Sequence, residues 1–82
     1  MIDYNRLYPR HAEAVTKSDS TVVSFVALYV GGAGNVAVIM AGDSAAVTFV
    51  GVPAGTFLPI QVKKVMSTNT TATSILGLRP NA

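Results

Sequence analysis

From Thr21 to Leu78 the chain is a succession of short apolar runs punctuated by glycine turns. Within a strand, alternate residues fall on opposite faces, so each run can be sorted into two sides. The first, about Thr21 to Val30, places Val22, Val26, Leu28 and Val30 on one face and Val23, Phe25, Ala27 and Tyr29 on the other. Both sides are largely apolar, as in a central strand or one covered on two sides. Gly31-Gly32-Ala33-Gly34-Asn35 reads as a turn able to supply positive φ.

A second strand is expected over about Asn35 to Ala41, a hairpin turn at Gly42-Asp43-Ser44, and a third strand over about Ala45 to Val50. In that third strand Val47 and Phe49 share one face, with Thr48 and Val50 on the other. Gly51-Val52-Pro53-Ala54-Gly55 forms the next turn. A fourth strand, about Thr56 to Met66, points Leu58, Ile60 and Val62 inward. Pro59 cannot donate a ladder hydrogen bond and belongs at an edge or bulge, and the consecutive Lys63-Lys64 breaks the alternation and predicts a bulge there. After the polar turn Ser67-Thr68-Asn69-Thr70-Thr71, a fifth strand covers about Ala72 to Leu78. The fold class is all-β, a small antiparallel β-sandwich or barrel of about five strands.

Residues 1–20 differ in character. They hold Asp3, Arg6, Arg10, Glu13, Lys17 and Asp19, a proline at Pro9, and no sustained periodicity. They read as an extended N-terminal arm ahead of a β domain at 21–82. Tyr4, Leu7 and Tyr8 give the arm apolar handholds, so it is expected to order against a neighbouring subunit.

Charge sharpens this picture. Beyond Ser20 the formally charged side chains are Asp43, Lys63, Lys64 and Arg79, and the whole chain is 12% charged and 50% hydrophobic. An average soluble domain is about 25% charged, and a free monomer relies on such charge for solubility. Part of this surface is therefore expected to be covered by copies of the chain or by another protein. Size points the same way: a chain of 82 residues buries only about 60% of its unfolded surface. With no cysteine, and His11 as the one histidine, disulfides and a His- or Cys-based metal site are excluded, which leaves oligomerisation as the expected source of stability. The strand faces bearing Val23, Phe25 and Tyr29 are the expected subunit interface.

Other function classes fit poorly. The net charge is +2, but only Lys63 and Lys64 are adjacent, and neighbouring strand residues point to opposite faces, so no nucleic-acid surface is expected. The Gly31-to-Gly34 cluster lacks the lysine and following helix of a phosphate loop. Asp43 is the one carboxylate in the β region, too sparse for acid–base catalysis or calcium; no catalytic residue, cofactor or metal is expected, and the chain is not read as an enzyme. No apolar run reaches the ~20 residues of a membrane-spanning helix, and the first twenty residues lack a signal-peptide core. The expectation is a protein made and assembled in the cytoplasm without membrane insertion. A carbohydrate-binding site built on Tyr29 with Asn35, Asn69 or Thr70 is the alternative.

The run Ala27-Leu28-Tyr29-Val30-Gly31-Gly32-Ala33-Gly34-Asn35-Val36 resembles the ALYVGGAGDV core of the head-spike base family of alphaproteobacterial gene transfer agents and related tailed phages. Val47-Thr48-Phe49, Val52-Pro53-Ala54-Gly55-Thr56, Leu58-Pro59-Ile60-Gln61-Val62 and the ending Thr70-Thr71-Ala72-Thr73-Ser74-Ile75 extend the resemblance from about Val15 to Leu78. Asn35 departs from it, standing where an acid is expected. The resemblance implies a virion protein: a homo-pentamer on the fivefold capsid vertex that contacts the capsid protein and holds a spike fibre protein, which reaches the host surface polysaccharide. On that reading Tyr4, Leu7 and Tyr8 are the expected capsid contact. A capsid cement protein spread over the shell is a further alternative. The family has no catalytic residues to carry over.

Overall fold

The apolar runs become strands, but they are shared out between two sheets more often than the alternation alone indicates. The computed structural model describes residues 9–80. Its strands are β1 (His11–Ala14), β2 (Ala27–Gly32), β3 (Gly34–Met40), β4 (Val47–Val52), β5 (Thr56–Leu58), β6 (Val62–Val65) and β7 (Thr73–Arg79), with no helix among the described residues. They form two antiparallel sheets in the orders β1-β7-β2-β5 and β4-β3-β6. Leu28, Val30 and Ile75 from the first sheet meet Val36, Val38, Val52, Val62 and Val65 from the second, with Phe25 and Ala72 completing the core. The fold is a small β-sandwich.

The expected strand from Thr21 to Val30 is regular only from Ala27. Val23 N–H donates to the Lys63 carbonyl (2.8 Å), and Phe25 exchanges backbone hydrogen bonds with Val62. One residue later Val26 N–H donates to Leu78 O (2.8 Å), in the other sheet. The chain therefore crosses between sheets at Phe25–Val26, and the alternation read through this point does not place Phe25 beside Tyr29. Phe25 instead closes the sandwich and lies on Gly77, where an added Cβ would sit 2.4 Å from the ring. Glycine is needed there because the aromatic ring occupies the side-chain position.

Gly31 and Gly32 continue β2, pairing as far as Gly32 opposite Thr73, and Gly34 opens β3. The expected turn is thus a crossing from one sheet to the other. Its tightness explains Gly34, whose Cβ would meet the Ala72 backbone nitrogen at 2.5 Å. The expected fourth strand also divides: β5 joins the first sheet and β6 the second, with Pro59 in the break. The bulge falls at the lysines, because Ile39 pairs with Lys64 and Met40 with Val62, leaving Lys63 extra. Among the described strands, β3 and β4 alone form a hairpin between consecutive elements, its turn carrying an Asp43 N–H bond to Met40 O (3.0 Å).

Residues 11–14, placed by sequence in the arm, form β1 against β7, from His11 opposite Arg79 to Ala14 opposite Leu76. Glu13 reaches across to Arg79 at 3.1 Å. Beyond β1, Val15 N–H donates to Ile75 O and Ser18 N–H to Val65 O, so this segment is sewn to the body of the sandwich.

Candidate assembly surface

Several polar side chains help to hold the fold together. Thr70 is a buried polar residue whose hydroxyl accepts from Ala37 N–H (2.9 Å) and donates to Ala37 O (3.3 Å). It stands in for a backbone partner where β6 has ended, satisfying groups that would be expensive to bury unpaired. Asn35 Oδ1 accepts from Gly51 N–H (2.9 Å), and its N–H donates to the Thr71 hydroxyl (2.8 Å). An aspartate could accept the same bond, which explains why amide and acid are both workable here. With Thr70 and Asn35 so engaged, these groups are turned to the fold rather than to a sugar.

Asp19 accepts from the Thr68 hydroxyl, Thr68 N–H (2.9 Å) and Ser67 N–H (2.8 Å). The Thr68 hydroxyl first, then these amides and the Lys64 charge, hold its carboxyl below the usual range. Lys17 Nζ donates to Thr70 O at 3.4 Å. No cluster of three or more His, Cys, Asp or Glu that could hold a metal occurs among the described residues.

The exposed large apolar side chains form two groups, apart from Val22, which lies exposed in the segment before β2. On the outer face of the first sheet Tyr29 stands directly opposite Phe57 on one side and Leu76 on the other. They are 39%, 52% and 36% exposed. An open hollow of about 340 Å³ adjoins them, lined by Pro9, Arg10, His11, Ala12, Phe57 and Leu78. The second group is β4, an edge strand of the other sheet, where Val47 is 43% and Val50 77% exposed.

Of the sequence-derived interface residues, Tyr29 lies on the first of these surfaces. Phe25 is 4% exposed within the core, and Val23 is half-buried against it, so the three are not brought to one face. Tyr4, Leu7 and Tyr8 lie outside the described residues. Phe57, Leu76, Val47 and Val50 went unmarked by sequence, although Phe57 had a signal: it sits out of phase with the inward Leu58, Ile60 and Val62.

A disulfide-free, low-charge sandwich with large apolar side chains exposed on both of its sheets has the build of an assembly subunit. No family model and no curated protein matches the chain. Among solved structures it is similar to a chain in the capsid of a native gene transfer agent (GTA) particle computed with C5 symmetry. The TM-score is 0.76 and the identity 30%, over 87% of this chain and 83% of that one. The chain belongs to the same family as that capsid component, a family of virion structural proteins.

Proposed function

We propose that the protein is the base of a head spike: a homo-pentamer seated on the fivefold vertex of the capsid, anchoring a fibre that contacts the host surface. The observation that carries this reading is the likeness to a chain of a C5-symmetric gene transfer agent capsid. The spike-base pattern over Ala27 to Val36 narrows it from capsid component to vertex component. The mechanism is geometric. A cyclic ring matches the vertex on one side and presents a platform on the other. Tyr4, Leu7 and Tyr8 make the capsid contact in this scheme, ahead of a β1 that is tied into the sandwich.

Particles imaged without imposed icosahedral symmetry test the assignment. A ring of this protein at the vertices, and nowhere else on the shell, supports it; copies spread across the shell identify a cement protein instead. Removing residues 1–8, which spares β1, should leave a cooperatively folding protein that no longer attaches to particles. Undiminished attachment by the truncated chain would overturn the role given to Tyr4, Leu7 and Tyr8.

A further inference from the structure

The outer face of the first sheet is stepped. Ala14, Leu76, Tyr29 and Phe57 lie side by side across its four strands. Two residues along, the next row on this face is Ala12, Leu78 and Ala27. Two of those three are alanines, so the surface drops beside the tall row. The hollow of about 340 Å³ opens there, with Ala12, Leu78 and Phe57 in its lining. The rest of the lining is Pro9, Arg10 and His11, where the chain enters β1. Strand β1 is a sheet edge, and Arg10 N–H donates to Arg79 O (3.0 Å), so the chain is pinned to the sheet as far as the rim of the hollow. Residues 1–8 lead into that rim and include Ile2, Tyr4, Leu7 and Tyr8.

We propose that residues 1–8 of the free chain fold back over the outer face of their own first sheet, with Tyr8 seated in the hollow against Phe57 and Leu78. The inner face of that sheet is filled by the core, which leaves the outer face as the one open to the segment. Covering the exposed Tyr29, Phe57 and Leu76 removes apolar surface from water, which favours the docked arrangement. Arg10 is the one formally charged residue in the lining, and a guanidinium tolerates an aromatic ring beside it. Reach is sufficient: β1 and β5 are three strand spacings apart, about 14 Å, whereas eight extended residues span roughly 26 Å. Pro9 biases the residue before it toward an extended backbone, which suits a segment laid across a sheet. Tethering selects the occupant. A segment joined at the rim has an effective concentration there on the order of mM, above that of any second copy in dilute solution. The inference goes beyond the capsid role given above to Tyr4, Leu7 and Tyr8: a segment seated here must leave the hollow to make that contact.

The test uses the full chain, which has no cysteine, so Asn5→Cys carries a single nitroxide label. In the isotope-labelled protein, the amide signals of Phe57 and Tyr29 should lose most of their intensity while the nitroxide is oxidised and recover it on reduction. The loss should fall steeply toward Val50 on the other sheet. Full intensity at Phe57, or a loss there no greater than at Val50, would overturn the proposal. A mixture of nitroxide-bearing chains without the isotope and isotope-labelled chains without the nitroxide reads contacts between copies, and should show no loss. A loss there equal to that within the chain would assign the hollow to a second copy's segment and overturn docking within the chain. Adding Tyr8→Ser to the nitroxide-bearing chain should restore the Phe57 signal; a loss that persists would remove Tyr8 from its seat. The outcome is separable from the capsid role: docking observed here, together with undiminished particle attachment after removal of residues 1–8, would sink that role and leave the docking standing.

Discussion

Strand β3 is flanked by β6 on one side and β4 on the other, and the two sides are finished differently. On the β6 side nearly every backbone group that the strand ladder leaves open finds a partner. Met66 N–H donates to Ala37 O (2.8 Å), Thr70 takes Ala37 N–H, and Thr71 and Ala72 donate to Asn35 O (2.9 and 3.1 Å). Beyond β6 itself, Ser18, Val23 and Phe25 cover the outer edge and Asp19 caps the following turn. On the other side β4 stands open, with valines at its surface. One edge is closed by hydrogen bonds within the chain and the other has β3 as its partner among the described strands. Substitutions on the β6 side should therefore lower stability, whereas those at the exposed Val47 or Val50 should largely spare it.

The largest effect is expected where the closed side meets the core. Phe25 is buried, bridges to Val62 and fills the space over Gly77. Phe25→Ala should lose about 3–5 kcal/mol in denaturant unfolding, or abolish the cooperative transition. Gly77→Ala attacks the same contact from the other side and should cost about 1–3 kcal/mol by overpacking. Because the two residues share one space, the penalty of Gly77→Ala should shrink in the Phe25→Ala background. Full additivity would mean that the ring and the glycine are not in contact, and the closed side would lose its anchor. Next in size is Thr70→Val, which keeps the shape and removes the hydroxyl that serves both Ala37 backbone groups. A loss of about 1–3 kcal/mol is expected from the stranded buried amide. An unchanged midpoint would show that water reaches Ala37, making the β6 side as open as β4.

How far these two sides were legible beforehand depends on what alternation can encode. It grouped Leu28 with Val30 on one face and pointed Leu58, Ile60 and Val62 inward, because burial on one face is written in every second residue. Of the latter three, Val62 is fully buried and the other two pack half-buried against the core. An irregularity at Pro59 and the bulge at Lys63 were also readable, each being a local violation of the ladder's chemistry, but not that the strand divides at Pro59. Pairing was not. At Phe25–Val26 and at Pro59 the chain changes sheet without interrupting its apolar run, and a strand apolar on both sides gives no hint of which neighbour it joins. Strand β1 was hidden for the opposite reason: all four of its residues are exposed, so it carries no apolar pattern and is held by the β7 backbone. Thr70 looked like any turn threonine, since a hydroxyl acting as a backbone partner across 33 positions leaves no mark on its immediate sequence. That β4 is a sheet edge became visible only once the strand order was known.

The smallest of the expected effects separates the two sides by pH. The Asp19 carboxylate is held in its charged form chiefly by the Thr68 hydroxyl, with the Thr68 and Ser67 amides and Lys64 assisting, so its pKa in the folded chain is lowered. A lowered folded value means that the stabilisation is fully present above the ordinary carboxylate pKa of about 3.9 and is lost as pH falls through the lower folded value. The group lies at the surface, and solvent keeps the contribution modest. Thermal midpoints of the wild type and Asp19→Asn should therefore differ at neutral pH, with the variant lower, and should converge as pH falls below about 4. No titratable side chain occurs from Ser44 to Val52, so the same acid series should leave the β4 side unaltered. If the gap between wild type and Asp19→Asn persisted unchanged into acid, the carboxylate's charge would play no part in the cap, and the closed side would be held by its backbone bonds alone.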